Sequence, residues 1–430
     1  MVELPRIALG NVQYGASFHQ LLHCLLSDYA EAAVDVQVFA AQGRLDTGVQ
    51  QALLSGSRLR HLDNWLMGAE GNQEALLRGG QSRDLSLIVG DFLSSSDSSV
   101  PLGGNLDQLC QQLQIPAIAH LDVWQFDACA PPRLPPSCCG LLLSGCRDAE
   151  ELARWQTRLE VIWGLPVFGG IWEDTVECLT RVVAADSAAR TIEPAVGGYI
   201  QLHRLLSLAR SAPACALPTS PLPSAKAVQI AVAYDDAFHC YFPDAMEQME
   251  SAGARLIDFS PLRSERVPAG TDVVYLGCGH PERYAERLAG NICIQQSLRS
   301  FVQAGGRLYA EGGGLAYACE LMEFRGHCYR MAGLLPAVAR FEAVTPRPVE
   351  LSPDNSAWLK CDRLRGYLNP NWLLVPRPGL QDYSTRSDCP LSLIGDRQAI
   401  GSRIHLHFAS QPKLLQSLLS PVVSTRSNDA

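Results

Sequence analysis

The densest chemical signal in the sequence is GRLYAEGGGLAYACE, Gly306 to Glu320, where an apolar run meets three glycines and then a helical pattern near Leu315. Strand, glycine turn and helix together have the shape of a nucleophile elbow, which holds one side chain at the tip of a parallel sheet. The glycines serve a turn with unusual backbone angles and a close neighbouring strand. A plain strand-to-helix turn uses the same letters, so spacing leaves both readings open. A second candidate is GNVQYGASFHQ, where Gly10 and Gly15 precede a helix opening at Ser17. Backbone amides at such a helix start form a phosphate-cradling or simpler anion site. The lysine that would reach the outer phosphates is missing, because none occurs before Lys226.

Other reactive side chains point toward structure. His19, His23 and His61 could line a site, but no Glu-rich motif accompanies the His19–His23 spacing, and no metal site is expected. Cys138 and Cys139 are adjacent, which suits one metal ion poorly, and they read as loop residues after a proline run. Trp65, Trp124, Trp155, Trp163 and Trp172 are expected mostly in core or pocket packing.

These candidates need a scaffold. Before residue 211, short runs apolar on both faces (RIALG, VDVQVFA, LSLIVGD, IPAIAHLDV, CGLLLSG, LPVFGGI) alternate with helical patterns such as FHQLLHCLLSDYAEAA. Such strands belong in a parallel sheet covered by helices on both sides. SAPACALPTSPLPSAKA, with Pro213, Pro218, Pro221 and Pro223, breaks both element types and reads as a linker. After it the grammar restarts with VQIAVAY, ARLIDFSP, TDVVYLG and GRLYAE as strands and helices over 244–252 and 291–304. Short strands are expected at 328–331 and 400–408.

Length and composition fit this plan. The 430 residues, 47% hydrophobic and 18% charged, provide for two or three globular domains. A net charge of −9 argues against a nucleic-acid surface. Of the 35 basic residues only Lys226, Lys360 and Lys413 are lysines. No apolar run approaches the roughly 20 residues of a membrane span, and MVELPRIALG lacks the pattern of a signal peptide. The 15 scattered cysteines read as reduced core residues of a cytoplasmic protein.

Motifs add a resemblance. AEGGGLAY is similar to the A-E-C-G-G-L-M-Y elbow of the cobyrinic acid a,c-diamide synthase family, class I glutamine amidotransferases of cobalamin synthesis. In the same order, residues 233–262 resemble the D-x-A-F-x-F-Y-Y-x-D-N and F-S-P-L segments, and YLGCGHPERYAERLAGN resembles Y-L-G-G-G-Y-P-E with A-x-x-L-x-x-N. MAGLLP and IHLHF complete the set. In the first half, GNVQYGAS stands at the family's P-loop and HLDNWLMG resembles N-L-D-P-W-M-L-G. LIVGDFLSSSD resembles a strand ending in E-G-V-M-G, with Val89 at the acidic position and Asp91 two residues on. FAAQGRLDTG keeps Asp46 as the nearest survivor of that family's carboxylates.

The resemblance implies an α/β protein of two doubly wound domains: a P-loop, dethiobiotin-synthetase-like domain over 1–210, a linker over 211–226, and a class I glutamine amidotransferase-like domain over 227–430. It implies ATP and Mg as cofactors, a tetrapyrrole or corrinoid as ligand, and amidation of a carboxylate by ammonia released from glutamine. His405 falls at the triad histidine and Gly312 at the nucleophile. Glycine cannot form the thioester that glutamine hydrolysis requires. Cys278, in the loop beside the elbow, is either filler or a substitute thiol. Gly10, Gly15 and Ser17 form the phosphate loop without its lysine. The first reading is a cobyrinate a,c-diamide synthase-like protein with impaired chemistry, which binds a tetrapyrrole or joins an active amidotransferase partner or a second copy. The second is ATP-dependent amidation with free ammonia or a partner's glutaminase, and the third is a non-catalytic interaction scaffold.

Overall fold

The computed structural model describes residues 1–13, 17–42, 58–92, 106–172, 198–215, 228–342, 347–352, 358–359, 363–368, 371–384, 389–395 and 398–420. They form two compact units, one reaching Cys215 and the other starting at Val228. Most of the expected linker lies outside the described residues. At its start, Cys215 pairs through backbone hydrogen bonds of 2.9 Å with Val2.

The first unit runs β1 (Arg6–Asn11), α1 (Ser17–Glu31), β2 (Val36–Ala40), β3 (Arg60–His61), α2 (Asn64–Gly80), β4 (Leu85–Asp91), α3 (Leu106–Leu113), β5 (Ala117–Asp122), β6 (Cys138–Cys146), α4 (Ala149–Trp163), β7 (Val167–Trp172), β8 (Gly198–Ile200) and α5 (Leu202–Arg210). Its sheet has the order β3-β2-β4-β1-β5-β6-β7-β8, parallel except for β8 at the edge. All six residues of β1 are buried, as a central strand covered on both faces requires. In α1, Phe18, Leu21, Leu22, Leu25, Leu26 and Tyr29 face inward at helical spacing. Because the chain crosses over at β1, the carboxyl ends of β1, β4 and β5 open where such folds bind ligands.

The second unit runs β9 (Gln229–Ala233), α6 (Pro243–Ser251), β10 (Arg255–Phe259), β11 (Val273–Leu276), α7 (Ala285–Gly290), α8 (Ile292–Gln303), β12 (Arg307–Glu311) and α9 (Gly313–Ala318). There follow β13 (Cys319–Phe324), β14 (His327–Arg330), β15 (Leu335–Phe341), β16 (Arg347–Leu351), β17 (Leu364–Leu368), β18 (Trp372–Pro376), β19 (Gln381–Asp382), β20 (Leu393–Gly395), β21 (Ala399–Ser402), β22 (Ile404–Leu406) and α10 (Pro412–Leu419). The main sheet has the order β10-β9-β11-β12-β21-β20-β19, and two smaller sheets are ordered β14-β13-β15-β18 and β16-β17-β22.

Two expectations need correction. Cys138 and Cys139 open β6 instead of lying in a loop, because the proline run stops at Pro136 and a buried apolar stretch follows at once. The single strand expected over 400–408 is two strands in different sheets, broken between Ser402 and Ile404. Of the tryptophans, Trp155, Trp163 and Trp172 pack half-buried against the core of the first unit as expected, whereas Trp124 is 65% exposed.

Candidate functional site

β12 delivers a buried strand to Gly312, whose φ of 53° and ψ of −114° form a sharp turn before α9. That left-handed combination favours glycine. The Gly312 amide donates to the Ser402 carbonyl at 3.1 Å, which ties the tip to β21. Two residues on, a β-carbon at Gly314 would sit 2.1 Å from the Leu276 carbonyl oxygen, so only glycine lets α9 start this close to β11. The backbone of an elbow is therefore fully formed at the tip of a parallel strand.

Beneath the tip lies a buried polar cluster. Glu311, inaccessible to solvent, accepts from the Tyr275 hydroxyl at 2.6 Å, the Tyr309 hydroxyl at 2.9 Å and the Leu406 amide at 3.2 Å. Burial pushes its carboxyl up to about 7 from 4.5, against the pull of these donors. The Cys278 thiol also bonds to Glu311, inside the core. Cys278 is paired across an antiparallel bridge with Cys240, whose amide donates to its carbonyl at 3.1 Å. His405 is the residue before Leu406, so His405 and Gly312 flank the two ends of the Glu311–Leu406 bond. His405 is buried on β22, and His407 accepts at Nδ1 from the Ser410 amide at 3.2 Å. The Cys278 thiol thus meets the Glu311 carboxylate, while Gly312 and His405 are the chain neighbours of Glu311 and Leu406. Glu311, Tyr275 and Tyr309 were missed by sequence reasoning, although Glu311 stands beside the glycine run.

In the first unit, Gly10, next to last in β1, lies beneath Phe92, whose ring is 2.1 Å from where a β-carbon on Gly10 would be. Gly15 lies outside the described residues, as does Asp46. Ser17 opens α1, and its hydroxyl donates to Asp122 Oδ2 at 3.1 Å. The same oxygen accepts from Gln125 Nε2 at 3.1 Å, and Oδ1 accepts from the Trp124 amide at 3.0 Å. Gln13 accepts from the Asp122 amide at 2.7 Å. Behind this carboxylate, buried His120 contacts Asn11 Oδ1 at 3.1 Å and Ser144 Oγ at 2.8 Å. Burial first, and His19 second, push the His120 ring down to about 3, so it is neutral. Val89 is buried, and Asp91 stands opposite Asn11 at the exposed end of β4. His19 is exposed and His61 buried, and among the described residues no group of three or more His, Cys, Asp or Glu could hold a metal ion.

Comparison with known proteins agrees with this geometry. Residues 229–367 match the model of the CobB/CobQ-like glutamine amidotransferase domain. The cobyrinate a,c-diamide synthase of Syntrophotalea carbinolica is 27% identical over 373 residues, covering 80% of this chain and 80% of its own. That of Dehalococcoides mccartyi strain CBDB1 is 24% identical over 461 residues, covering 97% of this chain and 98% of the relative. The chain thus resembles the cobyrinate a,c-diamide synthases over nearly its whole length.

A crystal structure of glutamine amidotransferase aligns with a TM-score of 0.34 at 16% identity, over 44% of this chain and 98% of that one. In this chain, three positions carry residues without reactive groups: Gly312 at the elbow tip, Val89 on β4, and Ala16, which precedes Ser17 where a G-x-x-x-x-G-K-S loop has lysine. Asp122 escaped sequence reasoning because IPAIAHLDV signals only a strand, and its partner Ser17 lies 105 residues away.

Proposed function

We propose that this chain is a cobyrinate a,c-diamide synthase-like protein that has lost glutamine hydrolysis and ATP use and acts by binding a tetrapyrrole or corrinoid. The observation carrying this reading is the elbow, whose backbone is complete while its tip is Gly312. A histidine base without a thiol forms no acyl-enzyme. The phosphate loop supports the same reading. ATP needs a cation at position 16 to hold its outer phosphates, and residue 16 is alanine. Ser17 and Asp122, hydrogen-bonded at 3.1 Å, are the kind of pair that would hold Mg, so the loop lacks its cation and not its metal ligands.

The test uses the purified full chain. It is expected to release no glutamate from glutamine and no phosphate from Mg-ATP above a blank, while calorimetry with a corrinoid registers binding. Robust turnover of ATP or glutamine overturns the reading. Amide formation driven by ammonium and ATP would establish the ammonia-dependent alternative in its place.

A further inference from the structure

On the second unit, the short helical turn at Pro281–Tyr284, which packs on Gly313 beside the elbow tip, encloses with α7 and the tip of the β13–β14 hairpin a groove of about 380 Å³. That volume lies in the range of small-molecule sites, roughly 300–1,000 Å³. Three arginines line it from three elements: Arg283 from the turn, Arg287 from α7, and Arg325 from the hairpin tip. None of the three has a carboxylate within ion-pair distance among the described residues, in a chain whose net charge is −9. The buried carboxylate that lines the groove, Glu282, is engaged with His280 Nδ1 at 3.1 Å.

The guanidiniums are also held in place. Arg287 lies over the Tyr284 ring at 5.9 Å and Arg325 over the Phe324 ring at 5.1 Å, and such stacking orients the planar fork. Arg325 has a φ of 49°, a left-handed conformation that a side chain adopts at a cost, followed by Gly326 at 78°. Two-residue hairpins favour Asn-Gly or Gly-Gly there. An arginine kept at the unfavourable position places a cation on the groove, and unfavourable backbone angles of this kind concentrate at ligand clamps.

We infer that this groove binds a small polyanion, a polycarboxylate or a polyphosphate, through Arg283, Arg287 and Arg325. Planar guanidiniums match both oxyanions with paired hydrogen bonds. The inference is independent of the elbow and of the phosphate loop.

Calorimetric titration of the full chain with citrate and, separately, with pyrophosphate tests it at low and at physiological salt. Binding of at least one is expected, and the arm that binds tells carboxylate from phosphate. Arg287→Ala and Arg325→Ala should each weaken binding ~10-fold or more, the scale of one charged hydrogen-bonding partner. Arg325→Gly is the decisive variant, because glycine suits φ of 49° and removes the cation: its thermal midpoint should hold or rise while binding falls. No binding of either probe overturns the inference, as does binding that survives the triple Arg283→Ala, Arg287→Ala, Arg325→Ala change.

Discussion

Glu311 couples the second unit to pH with a sign opposite to that of most carboxylates. Its folded value of about 7 lies above the ordinary 4.5, so the folded protein holds a proton over that window that the unfolded chain has released. Stability from this group is present in full below 4.5 and is lost as pH rises through 7. Evaluated between pH 5 and pH 8, the linkage relation gives a loss of about 2–3 kcal/mol. Glu311→Gln mimics the protonated form: the amide oxygen accepts from Tyr309 and Leu406 and the amide nitrogen donates to the Tyr275 oxygen. Hydrogen exchange at the Leu406 amide and along β12, corrected for intrinsic rates, reads the local opening free energy. In the parent, protection should fall about 30- to 100-fold from pH 5 to pH 8, the equivalent of that loss. In the variant the profile should be flat. Identical slopes in both proteins, or a parent that gains protection as pH rises, would refute the argument that burial outweighs the three donors.

His120 makes the reverse prediction for the first unit: with its ring at about 3 in place of 6.5, unfolding takes up a proton in acid. Stability is full above 6.5 and should be about 2 kcal/mol lower by pH 5, and His120→Gln should flatten that limb in urea titrations. An unchanged acid slope would count against it. Gly314→Ala pushes a methyl against the Leu276 carbonyl oxygen at 2.1 Å, which cannot yield, so a destabilisation of about 2–3 kcal/mol is expected in denaturant melts. A midpoint equal to the parent's would contradict the close approach. Cys278→Ser should leave glutamate release at background, as in the parent; release by the parent that vanishes on this change would make Cys278 a nucleophile.

Legibility from sequence followed burial. β1, β4, β5, β9, β11 and β12 were readable because continuous apolar runs of four to seven residues mark strands covered on both faces. The elbow was readable because three glycines interrupt such a run. By contrast, β13 and β16 alternate irregularly between buried and open positions, and β3 and β19 have two residues each, too few for any period. The site was half legible. Gly312 and His405 carry motifs in line with the chain, whereas Asp122 with Ser17 and Glu311 with Leu406 meet across 105 and 95 residues. Nothing in local pattern reports which way a strand residue points or what it meets so far along the chain.

The tip of β12 also sets the stability cost of any side chain placed there. An L-residue with a φ near 53° pays roughly 1–2 kcal/mol in steric crowding, and a reactive side chain at an elbow would carry that penalty permanently. Glycine removes it. A cysteine placed at this tip would therefore cost stability before any catalytic advantage could appear.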